Sequence, residues 1–259
     1  MEWADYLTLG LAVPFDEKGG GNLPNPNGRS WENDAAADAP YELGPDSRER
    51  RPGVQRGETV AFRDFESTTF AGTTRDWWVH VPAEEYRARH GGPCSLLVFQ
   101  DGASYMDEGG TVRAAVLLDN LAHDGRLPPT VAVFINPGAH PDNPGQRSFE
   151  YDTLDDTYVR FLAGEILPTV DKLVEVSADP DRRAIAGASS GGICAFCAAW
   201  FRPELFGNVI SHVGSFANIR GGHHLPWLIR NTPRKPIRRV FLQVRILIKN
   251  DPVKFDFIS

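Results

Sequence analysis

At 259 residues the chain is long enough to bury one full core without dividing into domains. Its residues are 41% apolar and 24% charged, ordinary values for a water-soluble globular fold. The formal charge of −7 argues against nucleic acid or an anionic membrane surface as the main partner. No apolar run approaches the roughly 20 residues that cross a bilayer. The opening residues, Met1 to Tyr6, have neither the basic stretch nor the apolar core of a secretory signal, so a cytoplasmic location is expected.

From about Asp16 to Gly57 the chain is dense in Gly, Pro, Asn and Asp, with a basic cluster at Arg48, Arg50 and Arg51. No apolar period runs through it, so residues 1–57 are expected to form an irregular or mobile arm. Two strands are predicted next, Thr59 to Phe65 and Asp76 to Val81. In the second, Trp77, Val79 and Val81 alternate as on a half-buried strand. Nearly uninterrupted apolar runs follow at Cys94 to Phe99 and Val131 to Ile135, as in strands covered on both faces. Shorter runs of this kind lie at Ala184 to Ala186, Val209 to Val213 and Val240 to Leu242. Helices are predicted between them at Thr111 to His123, Asp155 to Val176 and Ser190 to Phe201. Tyr158, Phe161, Leu162, Ile166, Val170 and Leu173 make one apolar stripe on the second helix, which Pro168 should kink or divide. Such alternation predicts an α/β fold with a mostly parallel sheet, helices on both faces, and a site beyond the carboxyl ends of the strands. Among the three cysteines, Cys194 and Cys197 form a C-x-x-C inside a predicted helix. Two buried helix residues are the expected reading there, ahead of a redox pair.

The segment richest in chemistry is G-x-S-x-G at Gly187, Ala188, Ser189, Ser190 and Gly191, with an apolar strand leading in and a helix leading out. A turn this tight strains the serine backbone and excludes bulky neighbours, which accounts for the small residues at 187, 188, 191 and 192. It lifts the Ser189 hydroxyl above the sheet, where the unpaired N–H of Ser190 can stabilise a developing oxyanion. The strand ending at Phe99 runs into the Asp101–Gly102 turn. Ala103 N–H is the candidate second donor, an ordinary β-turn being the alternative.

At this point the chain resembles the putative esterase family that includes enterochelin esterases, esterase D and the mycolyltransferases, with the enterochelin-esterase-like branch nearest. The resemblance rests on TTRDWWVHVP at 73–82, VFQDG at 98–102, RSFEYD at 147–152, GASSGG at 187–192, SHVGSF at 211–216 and RGG at 220–222. It covers about Leu43 to Gln243 in family order. It implies the α/β-hydrolase fold, an esterase domain over 58–243, Ser189 as nucleophile, Ser190 and Ala103 as oxyanion donors, and a carboxylate and histidine downstream.

Those last two residues are hard to place. After Ser189 the acids are Glu204, Asp251 and Asp256, and the histidines are His212, His223 and His224. Both aspartates follow every histidine, against the serine–acid–histidine order of this fold. Glu204 reads as a solvated helix end. Residues 244–259 do not resemble the family, so a fold lacking its last strand and helix, from a frameshifted or truncated copy, is expected. Loss of the histidine from a serine triad costs on the order of 10⁶ in turnover.

His212 is the best-placed substitute base, although a supporting or packing role is the expected one. The adjacent His223 and His224 diverge if extended, which weakens a metal-pair reading. His80 reads as a surface or pocket-rim residue. Arg147, Glu150 and Tyr151 either wall the substrate site, with Arg147 favouring an anionic ester, or form a structural ion pair that pins the loop from Asn136. The function expected is hydrolysis of a small-molecule or carbohydrate ester through an acyl-serine intermediate, impaired in this chain by the absence of the triad acid and histidine, with substrate contacts at Arg147, Glu150 and His212 and no cofactor or metal. The alternative is a non-catalytic remnant or binding protein. Acyl transfer would use the same machinery.

Overall fold

The computed structural model describes residues 43–243. The predicted non-family tail and the arm up to residue 42 lie outside them. Among the described residues seven strands form one mixed sheet: β1 (Glu58–Glu66), β2 (Thr74–Val81), β3 (Ser95–Gln100), β4 (Thr130–Ile135), β5 (Arg183–Ala188), β6 (Asn208–His212) and β7 (Arg239–Gln243). Their order is β1-β2-β4-β3-β5-β6-β7. β1 pairs antiparallel with β2, and β2 antiparallel with β4; all later pairings are parallel.

Alternation along the strands builds two cores. Trp77 and Val79 of β2, Leu96 and Val98 of β3, Val131, Val133 and Ile135 of β4, Ile185 of β5 and Val209 of β6 bury one face of the sheet. Trp78, Phe99, Ala132, Phe134 and Ala186 bury the other. Since successive side chains of a strand point to opposite faces, a strand covered on both sides reads as a nearly continuous apolar run. All six residues of β4 are buried accordingly.

Among the described residues, eight α-helices lie on or between the strands: α1 (Pro45–Arg48), α2 (Glu84–His90), α3 (Gly102–Met106), α4 (Ala114–His123), α5 (Gln146–Asp152), α6 (Thr157–Phe161), α7 (Leu167–Leu173) and α8 (Ser190–Phe201); a ninth, α9 (Leu225–Asn231), follows β6. α8 covers β5 and β6 on the first face and is itself packed by α5 and α6. Every residue from Ser190 to Trp200 is therefore buried, as in a helix apolar all round. α3 and α4 cover the second face through Tyr105, Ala114 and Leu118. Pro168 divides the long predicted helix without ending it. A π turn, Leu162–Ile166, joins α6 to α7 just ahead of the proline, which has no N–H for an intrahelical bond.

The inner end of the predicted arm is tied to this second face. Arg50 Nε contacts Asp119 Oδ2 at 2.8 Å, and Arg51 Nη2 contacts Asp124 Oδ2 at 2.6 Å. Asp119 also accepts from Gly57 N–H and lies 2.9 Å from His80 Nε2. His80 is thus not the surface or rim residue expected from sequence. It is 1% exposed, because α4 and residues 50–57 close over its strand.

Candidate active site

The sheet brings the carboxyl ends of β3, β5 and β6 side by side, and three turns leave them. Each turn holds a non-glycine residue at positive φ: Asp101 at 54°, Ser189 at 55° and Val213 at 43°. Such backbone is sparsely populated, most of all for a β-branched residue, and clusters where a fold presents functional groups.

Ser189 has φ 55° and ψ −121°, between β5 and the first residue of α8. The space around it is closed to side chains. A Cβ on Gly187 would lie 2.4 Å from the Gly191 backbone, and one on Gly192 would lie 2.7 Å from Ser211 Oγ. Ser190 opens α8, so its N–H has no intrahelical acceptor and points with the positive end of the helix. A group in this position can stabilise negative charge developing on an oxygen above Ser189.

The side-chain partner of Ser189 Oγ is Ser215 Oγ, at 3.0 Å. The turn after β6 sets it there, since Ser215 N–H donates to the Ser189 carbonyl at 3.1 Å. In the sequence Ser215 stands only as part of SHVGSF, with no role of its own. The available signal was a serine one residue past Gly214, in the turn after the strand that flanks the nucleophile strand.

His212 pairs in register with Ala188, and its ring points to the second face of the sheet, away from α8. There Nδ1 and Tyr105 Oη share a 3.3 Å hydrogen bond, and the ring packs edge-on against Phe241. Burial lowers its pKa below the ordinary 6.5. Burial, reinforced by the charge of Asp101, pushes Tyr105 up to about 12, so the phenol stays protonated. His223 and His224 lie in a 3₁₀ turn with rings 4.6 Å apart, not along an extended segment. Glu204 is exposed and paired with Arg202. Cys194 and Cys197 are buried in α8, and burial pushes Cys197 to about 12, away from thiolate chemistry.

Ala103 is in the first turn of α3, and its N–H donates to Asn136 Oδ1 at 3.0 Å. Asn136 lies just past β4, where the sequence marks only the start of a loop. Arg147 forms a two-pronged pair with Asp101, Nε to Oδ1 and Nη2 to Oδ2 both at 2.8 Å. Glu150, on the same helix, faces inward. Its carboxylate has no exposed surface and is clasped by Arg75 at 2.6 and 3.0 Å. Gln146 Nε2 and Gly138 N–H donate to it as well. The two residues expected to share a substrate wall therefore sit in separate ion pairs. Arg147 is partly exposed beside the turn after β3, while Glu150 pins the loop after β4 from beneath.

Among the described residues no helix is long and apolar enough to cross a membrane. The model of the family described as Putative esterase matches residues 69–240. An Iron(III) enterobactin esterase from Dickeya dadantii is 31% identical over 121 residues, covering 47% of this chain and 26% of that protein. An endo-1,4-beta-xylanase/feruloyl esterase from Xylanibacter ruminicola is 28% identical over 134 residues, covering 50% of this chain and 16% of that one. The solved enterochelin esterase of Shigella flexneri superimposes with a TM-score of 0.60 at 23% identity, over 76% of this chain and 47% of that one. The matches thus span about half or less of these relatives' own length.

Proposed function

The chain belongs to the Putative esterase family, and on that footing we propose that it cleaves a carboxylic ester through an acyl-serine intermediate on Ser189. The observation that carries this reading is the backbone of Ser189 itself, φ 55° and ψ −121° at a strand-to-helix junction. Strain of this kind costs about 1–3 kcal/mol, which the surrounding packing must offset. It lifts one hydroxyl clear of the sheet beside a free helix N-terminus. In the proposed reaction Ser189 Oγ bonds to the carbonyl carbon, and Ser190 N–H and Ala103 N–H hold the oxyanion. The serine proton passes to a base and on to the leaving alcohol, and water then releases the acid. The substrate proposed is a small-molecule or carbohydrate ester, a reading supported by the likeness to an Iron(III) enterobactin esterase and to an endo-1,4-beta-xylanase/feruloyl esterase.

One observation favours a second reading, a binding protein that keeps the scaffold without turnover. The side chain on Ser189 Oγ is another hydroxyl, Ser215, which cannot hold a proton as a base at neutral pH. Fluorophosphonate labelling of the 259-residue chain, read by intact mass, separates the two. The esterase reading expects rapid addition of one label, lost in Ser189→Ala. A folded protein that stays unlabelled supports the binding reading. If labelling occurs, His212→Gln tests whether that histidine contributes the base.

A further inference from the structure

We propose that Arg147 and Asp101 form a positioning pair, which holds the turn from Asp101 to Ala103 against the Ser189 elbow and so sets the Ala103 N–H for catalysis. The inference rests on the esterase reading above and assigns Arg147 to the turn instead of the substrate.

The turn has reasons to move. Asp101 is a non-glycine residue in left-handed backbone, φ 54° and ψ 45°, and its side chain does not cap α3. The turn is nevertheless fixed at every residue. Asp101 N–H donates to Tyr151 Oη at 3.2 Å. Gly102 is pressed on the end of β4, where an added Cβ would lie 2.2 Å from the Phe134 and Ile135 backbone. Ala103 N–H donates to Asn136 Oδ1 at 3.0 Å, so this donor already faces an acceptor oxygen outside the turn. An ester carbonyl oxygen would replace that oxygen.

Arg147 closes the set. Its two bonds occupy both oxygens of Asp101, the fork geometry that makes a guanidinium pair directional as well as strong. The guanidinium also lies over the Tyr151 ring, 5.2 Å from its centroid, so the residue gripping the side chain of Asp101 rests on the one gripping its N–H. On the opposite side, a Cβ on Gly191 would lie 3.3 Å from Asp101 Oδ2 and 3.2 Å from Gln100 Cβ. The carboxylate therefore reaches from Arg147 toward the first turn of α8, so one ion pair lies beside both candidate donors.

Hydrogen exchange tests this without requiring turnover. In the full chain, a peptide spanning 101–106 is followed in wild type, Arg147→Met, Asp101→Asn and Arg147→Lys, with β3 and β5 amides as the folding control. Loss of a charge-assisted pair is expected to speed exchange in the turn about tenfold in the first two variants, with the lysine intermediate, while the control amides keep their protection. Unchanged exchange in the turn overturns the proposal. Kinetics then separate positioning from substrate contact. A positioning role lowers kcat alike for a neutral p-nitrophenyl ester and for an ester of a carboxylate-bearing acid, with KM little changed. A rise in KM confined to the anionic ester, with kcat kept, would instead place Arg147 on the substrate. Failure of wild type to turn over or label would sink the esterase reading alone, since exchange still decides whether the pair holds the turn.

Discussion

An added Cβ at Gly187 would meet both the Gly191 backbone, at 2.4 Å, and Gln100 Oε1, at 2.7 Å. Neither contact can be relieved by rotating a free side-chain end, because Gln100 is itself fully buried. Gly187→Ala is therefore expected to destabilise by about 1–3 kcal/mol, as overpacked cores do, and urea denaturation would measure it. The clasp of Glu150 by Arg75 makes a different prediction. Both side chains have no exposed surface, so removing one leaves an uncompensated buried charge. Glu150→Ala should cost about 3–5 kcal/mol, whereas Arg75→Met combined with Glu150→Leu should recover much of that loss. A single variant no less stable than wild type would mean that the buried pair does not hold the loop. Sequence placed Arg147 and Glu150 near the site but left open whether they walled a substrate or paired. Their helical spacing does not say which side chain turns inward, and the packing of α5 on α8 decides it.

At the scale of elements, β6 and its turn connect the two faces of the sheet near the site. Ser211 faces α8 at Gly192, while His212 faces Tyr105, so adjacent residues serve opposite cores. Because burial depresses the His212 pKa below 6.5, the folded protein takes up a proton less readily than the unfolded chain. The stability contribution is complete above about pH 6.5 and is lost as pH falls through the folded value. Denaturation midpoints between pH 8 and 5 should fall more steeply in wild type than in His212→Gln; parallel profiles would show that His212 carries none of the dependence. The strands and α8 were legible because their apolar runs are bounded by turn residues, and α8 begins and ends as predicted. The π turn ahead of α7 was less so. A proline announces a missing donor, but only the packing of Leu162 and Ile166 into the core fixes how the helix accommodates it.

Over the whole molecule, residues 50–57 are joined to β2 and α4 through Asp119, which is 1% exposed and meets Arg50, Gly57 and His80. Asp119→Ala should cost about 3 kcal/mol, since it strands buried polar partners. Limited proteolysis should then cut between residues 44 and 57 sooner than in wild type, and equal cleavage rates would locate the anchor elsewhere. This attachment left no trace in the sequence, where the segment reads only as Gly- and Pro-rich with basic residues, and His80 reads as exposed. By itself the sequence determined the α/β class, the strand and helix succession, and the elbow at Ser189. These depend on local periodicity and on small residues at fixed spacing, which act within a few positions of the chain. The tertiary structure alone decided that Ser189 Oγ meets Ser215, that His212 turns to Tyr105, and that Arg147 grips Asp101 while Glu150 grips Arg75. Each of these contacts joins residues from different strands and turns, and their geometry is set by sheet order and register, quantities that a linear pattern does not encode.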